Sequence, residues 1–152
     1  MATSQLPFVG NYNFLVEIEG VEGSSSLVVG GFSEVSGLGS ETDTIEFAVG
    51  NSSSVMHLPG KTRYSNIVLR KGVTNSNELY RWRQTIENGE LDRRSGAVVL
   101  LAHAMAEKTR WNFYEAWPCR YEAPALNSAG DAVSIETLEI CVGRIERVDP
   151  NS

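Results

Sequence analysis

Two histidines, His57 and His103, and two cysteines, Cys119 and Cys141, are the residues of this chain with the broadest chemistry. A zinc or redox site gathers such side chains at short characteristic spacings, so that one turn or loop brings them to one ion or one thiol partner. Neither histidine has cysteine or carboxylate neighbours at such a spacing, and the cysteines match no metal or redox motif. His57 is expected at an exposed hairpin, His103 at a strand end, and both thiols reduced and partly buried. Glu17/Glu19 and Glu136/Glu139 are the carboxylate pairs that acid–base catalysis would require, but a period of two puts Glu17 and Glu19 on one strand face, the mark of a solvated surface. The serines lack a nucleophile elbow and have few bases to activate them. Gly30-Gly31 and Gly37-Leu38-Gly39 lack the lysine and following helix of a phosphate loop. Trp82, Trp111 and Trp117 fit core packing or a subunit contact better than an aromatic ligand site. The chain is therefore read as no enzyme, with no cofactor and no metal.

The elements available to position side chains are mostly strands. In YNFLVEIE, Tyr12, Phe14, Val16 and Ile18 alternate with Asn13, Leu15, Glu17 and Glu19, a strand with one buried face. Residues 20–26 form a turn or loop, and Leu27–Ser36 reads as one returning strand whose Gly30-Gly31 pair signals a bulge or a close backbone approach. Thr42–Val49 and Val55–Leu58 are the arms of a hairpin with a flexible tip at 51–54, stopped by Pro59-Gly60. Tyr64–Lys71 is a further strand. A helix follows over 75–88: Asn75 caps it, Glu78 completes the box, Leu79, Trp82 and Ile86 form an apolar stripe, and Gly89 ends it. Ala97–His103, Arg110–Trp117 and Val133–Ile145 complete the strands. Trp111, Phe113 and Trp117 are expected on one face, with Pro118 ending the pairing and a turn at Asn127–Asp131 after Pro124. The sum is a mainly β chain, an antiparallel barrel or sandwich of about seven or eight strands with one flanking helix (75–88) and a protruding hairpin (41–58).

At 152 residues, 41% hydrophobic and 21% charged, the chain is expected to form a single domain over 1–152. No apolar run approaches the length of about 20 residues that spans a bilayer, and the first residues lack a basic stretch followed by an apolar core. Assembly in the cytoplasm without a membrane anchor is expected, and the acceptor-like Asn51-Ser52-Ser53 is read as chance. Charge is uneven. Residues 1–60 hold seven acids and no Lys or Arg, residues 61–94 eight bases and four acids, and residues 95–152 five bases and eight acids, for a net −6. That acidic balance argues against nucleic-acid sequence recognition despite the Arg93-Arg94 doublet. An acidic and a basic pole suit head-to-tail contact between copies.

Five motifs in fixed order carry a family resemblance: GFSEVSGL (31–38), LPGKTRYSNIVLRKG (58–72), LYRWRQTIENGELDRRS (79–95), WNFYEAWPCRYEAP (111–124) and IETLEI (135–140). Each is weak alone, but together they span nearly the whole chain. The set resembles the inner tail-tube proteins of contractile injection systems, including phage tail tubes and tubes of extracellular phage-tail-like particles. The haemolysin-coregulated tube protein of type VI secretion is related.

The resemblance implies six-copy rings stacked into a hollow tube, a surrounding sheath whose contraction drives the tube through a target envelope, baseplate or spike and tube-terminating partners, and a lumen able to hold cargo. After assembly the protein would belong to an injection particle or virion, inside or outside the cell. The hairpin Glu41–Leu58 would reach a neighbouring subunit, with Pro7–Tyr12 and Lys61–Tyr64 at inter-ring contacts and the helix outside the lumen. Candidate interface residues are Glu41, Asp43, Glu46, Phe47, Val49, Met56, Leu58, Lys61, Arg63, Tyr64, Arg93 and Arg94. Acids at 41, 43 or 46 are expected to face bases at 61, 63, 93 or 94 across a boundary. The alternative is a secreted ring that carries effectors in its lumen, and a binding module or enzyme on a β-sandwich scaffold is the remaining reading.

Overall fold

The computed structural model describes residues 13–19, 26–29, 32–51, 53–72, 78–101, 107–126, 128 and 135–149. In chain order the elements are β1 (Asn13–Glu19), β2 (Ser26–Val29), β3 (Phe32–Ser36), β4 (Ser40–Ala48), β5 (Val55–Tyr64), β6 (Ile67–Gly72), α1 (Glu78–Glu87), β7 (Arg94–Leu101), β8 (Glu107–Glu122), β9 (Ile135–Cys141) and β10 (Arg144–Val148). All strand pairings are antiparallel. Hydrogen bonding runs β2-β1-β7-β8-β9-β6-β3, with β10 also on β8, while among the described residues β4 and β5 pair only with each other.

The long β8 belongs to two layers. Its first half pairs with β7 and β10, its second half with β9. Between the halves Glu115 adopts φ 54°, and the β7 register slips from Arg94↔Ala116 to Gly96↔Phe113, leaving an extra residue on β8. Such a bulge bends a strand sharply. The break between β9 and β10 lies opposite, where the Gly143 amide donates to the Tyr114 carbonyl at 2.9 Å. The bulge also reverses which side chains face inward. Thr109 and Phe113 are buried before it, Ala116 and Pro118 after it, and Trp117 is only half-buried. Trp117 thus leaves the face shared by Trp111 and Phe113, contrary to simple alternation.

Folding at this bend lays the two layers on each other. Val16, Ile18, Val98 and Phe113 from one meet Phe32, Ile67, Leu69, Leu138 and Ile140 from the other in one apolar cluster. Leu79 and Trp82 of α1 join that cluster, as the helical stripe requires. Trp82 donates from Nε1 to the Asp92 carbonyl at 2.9 Å, and the Arg94 guanidinium lies 5.0 Å from its ring centroid. The helix ends at Glu87, with Gly89 at φ 88° beyond it; the expected cap, Asn75, lies outside the described residues.

Several boundaries differ from the sequence reading. The expected strand 27–36 is two: β2 pairs with β1 and β3 with β6, at opposite ends of the path. The Gly30-Gly31 bulge, the loop at 20–25 and most of the turn at 127–131 lie outside the described residues. Pro59-Gly60 does not stop the hairpin, because β5 runs on to Tyr64, with a register shift between Thr42 and Thr44 opposite Pro59. A ribbon with unpaired outer margins tolerates a residue lacking an N–H there. Pro118 likewise stays in its strand, opposite Ile140 and beside another register shift.

Candidate assembly interface

β3 and β6 are antiparallel neighbours, and the chain that leaves one returns through the other. Between them β4 and β5 form an arm that extends this ribbon beyond the core. The kink at its root depends on Gly37 at φ 89°, where an added Cβ would sit 2.0 Å from the Asn66 carbonyl oxygen. Only glycine fits such a left-handed, close-packed position. Across the kink the Ser65 amide donates to the Gly39 carbonyl at 3.0 Å, holding the ribbon together.

The arm alternates like a core strand, yet almost nothing covers it. In register, Ile45 faces Leu58 and Phe47 faces Met56, so these four side chains share one surface. Ile45, Phe47, Val49, Val55, Met56 and Leu58 are each between 42% and 53% exposed. By contrast, Val16 and Phe113 are fully buried. An apolar ribbon face of this kind, outside the core and rimmed by polar residues, marks a contact surface. Ile45 and Val55 were missing from the candidate residues, although the same alternation in TDTIEFAV contains Ile45.

The charged candidates divide. Asp43 accepts from Arg63 within the arm at 3.0 Å, and Glu41 is the register partner of that arginine. Glu46 sits opposite His57. Among the described residues Glu46 and Lys61 have no ion-pair partner, and Arg93 is exposed just before β7. Arg94 is buried, pairs with Asp92 at 2.9 Å and stacks on Trp82, so its charge is engaged inside the chain. Tyr64 is half-buried against the core at the arm's root. The structure therefore gathers Glu41, Asp43, Glu46, Phe47, Val49, Met56, Leu58, Lys61, Arg63 and Tyr64 on one ribbon and leaves Arg93 and Arg94 at another element.

The layer of β3, β6, β9 and the second half of β8 has a polar outer face. Arg70 pairs with Glu34 at 3.5 Å, Arg120 with Glu122 at 3.2 Å, and Asn66 donates to Glu139 at 3.0 Å. A groove of about 350 Å³ lined by Glu34, Arg70, Glu122 and Thr137 joins these strands. Among the described residues, the outer margins of β3 and of β8 beyond Ala116 have no strand partner. Cys119 and Cys141 lie on adjacent strands here without a disulfide, and burial pushes the Cys119 thiol up. On the core side, Lys71 is buried against Glu136 at 3.5 Å, and Tyr121 donates to Glu136 at 2.9 Å. Burial, then that carboxylate, push the Tyr121 hydroxyl up to about 12. On the first layer Glu17 pairs with Arg110 at 2.9 Å, and Glu107 accepts from the same guanidinium at 2.6 Å. His103 lies outside the described residues.

A profile of the T4-like virus tail tube protein gp19 family matches residues 10–146. No curated protein matches the chain in sequence. Among solved structures, a chain of the anti-feeding prophage (AFP) baseplate, 6-fold symmetrised, is 20% identical with a TM-score of 0.81, over 95% of this chain and 97% of that one. A chain of an extracellular contractile injection system, the PVC sheath–tube complex in its extended state, is 24% identical with a TM-score of 0.78, over 98% and 99%. Hcp1 from Flavobacterium johnsoniae is 20% identical with a TM-score of 0.54, over 89% and 95%. The same architecture thus recurs in these particles, and the profile match covers most of the sequence. The chain belongs to the T4-like virus tail tube protein family and is a structural tube subunit.

Proposed function

We propose that six copies close into a ring, that rings stack into a hollow tube inside a sheath, and that sheath contraction drives the tube through a target envelope with its cargo. The observation that carries this reading is the arm β4–β5, whose apolar side chains Ile45, Phe47, Met56 and Leu58 stay about half exposed within the single chain. Burying it against a neighbour would gain about 25 cal/mol per Å² of apolar surface. A head-to-tail contact gives rings where its rotation closes and filaments where it does not. The layer β3-β6-β9-β8, polar outside and open at both margins, is the natural wall of the channel, because pairing β3 of one copy with β8 of the next would remove both free edges.

On this reading the partners are a sheath protein, a baseplate or spike and a tube-terminating protein. The subunit assembles in the cytoplasm and ends in an injection particle or virion. Glu41, Asp43, Glu46, Lys61, Arg63 and Arg93 set the register of contacts. Arg94 acts from within, by fixing Trp82 and the start of β7. Negative-stain electron microscopy of the purified protein tests the proposal: hollow six-fold rings or tubes are expected, and monodisperse single-chain particles would overturn it.

A further inference from the structure

Resting on the tube reading, in which copies join through β3 and β8, we infer that Arg147 and Asp149 are specificity residues that keep β10 from pairing with a strand of another copy. Among the described residues, four strand margins lack a partner: those of β2, β3, β10 and of β8 beyond Ala116. Each offers a row of backbone donors and acceptors that another margin could join. β2 is only four residues long. The other three differ in what lies on their core-facing side. On β3 it is Phe32 and Val35, and on β8 it is Ala116, Pro118 and Tyr121, none of them charged. On β10, Ile145 packs against the core, and Arg147 shares its strand face two residues on. Arg147 stands opposite Trp111, with its guanidinium 6.0 Å from that ring's centroid. It pairs with Asp149 at 3.2 Å, and the two side chains stay in water, 62% and 44% exposed.

A strand laid beside β10 would press its own inward side chains onto this pair and strip its water. Charges taken out of water recover that cost only with excellent pairing, so an inward-pointing charge guards an edge strand. The place of β10 in the fold makes the guard necessary. β6 pairs with β9 as far as Ile67↔Ile140, and beyond that point the two chains run on as β5 and β10. Among the described residues β5 comes close to β10 without pairing with it, so the β10 margin stays open at the root of the arm. A neighbour's β3 therefore meets two free margins, β10 and the second half of β8. On the tube reading only the second closes a ring.

The experiment compares two variants of the full chain, each losing one basic and one acidic residue, so that net charge is unchanged. R147T/D149T removes the inward pair. R144T/E146T removes the pair on the other face of the same strand, equally exposed at 58% and 50%, and uncovers the Tyr114 ring on which Arg144 stacks at 4.6 Å. Sedimentation and negative-stain microscopy read association, and hydrogen exchange of amides 144–148 in the sedimented material reads pairing at β10. R147T/D149T is expected to form irregular, non-tubular assemblies at about tenfold lower concentration than wild type, with amides of 144–148 newly protected. R144T/E146T is expected to match wild type. The single variant R147T, a milder change, decides the matter if the double variant does not fold. Wild-type behaviour of the inward variants, equal association by R144T/E146T, or association without new protection at β10 overturns the inference. Absence of rings and tubes from wild type would instead overturn the proposed function, and the same exchange measurement on the variants still reads β10.

Discussion

The core and the arm are written in the same alternating pattern and end in opposite environments. Val16, Ile18 and Phe113 are at most 1% exposed, whereas Ile45, Phe47 and Met56 are about half exposed. The difference comes from what each ribbon can fold against. β8 carries a bulge that brings a second layer over the first, and α1 supplies Leu79 and Trp82 to the core between them. The arm leaves that core at Gly37 and, apart from a small contact of β5 with β10, packs on little else among the described residues. One region holds the subunit together; the other is available to hold subunits to each other. Mutations should therefore separate stability from assembly.

The largest effect belongs to the core. Trp82→Ala removes a fully buried ring, its bond to Asp92 and the platform for Arg94, and should cost about 3–5 kcal/mol in denaturant unfolding, with assembly lost as a consequence. Nearly as damaging is Glu136→Leu, which strands the buried Lys71 charge and the Tyr121 hydroxyl; about 3 kcal/mol is expected by the same measurement, and a loss under 1 kcal/mol would mean Lys71 finds water. The arm should behave oppositely. F47D/M56D is expected to leave the thermal midpoint of the isolated chain unchanged while abolishing rings in sedimentation velocity; a matching fall in midpoint would show that the arm packs on its own subunit.

Reversing Lys61 and Arg63 to Glu is expected to weaken stacking more at low salt than at high salt, while folding changes little because the Asp43–Arg63 pair is exposed. Tubes equally stable across salt would remove charge from the inter-ring contact. The smallest effect concerns Tyr121. Its folded hydroxyl is pushed up to about 12, above its unfolded value, so it stabilises the fold fully below pH 10 and loses that contribution as pH rises towards 12. Tyr121→Phe should flatten part of the wild-type fall in thermal midpoint over that range.

Much of this division was legible in residue order. Alternation in YNFLVEIE and TDTIEFAV placed β1 and β4, and the Leu79/Trp82/Ile86 stripe placed α1. Bulges were not legible, because a bulge belongs to a pair of strands: the Glu115 bend, the continuation through Pro59 and Pro118, and the split of residues 27–36 into β2 and β3 depend on which partner lies alongside. For the contact surface, period two shows that Phe47 and Met56 share a face, but it cannot tell a core face from an uncovered one. Arg94 shows a related limit. A charge doublet reads as solvated surface until the ring of Trp82 and the carboxylate of Asp92 appear beside it.

The central claim is that β4–β5 completes its packing only on another copy. Hydrogen exchange measured on unassembled chain and on assembled particles tests it most directly. Amides of 40–64 should exchange fast in the unassembled chain and become strongly protected in particles, while those around Phe113 stay protected in both. Equal protection of the arm in the two states would contradict the account.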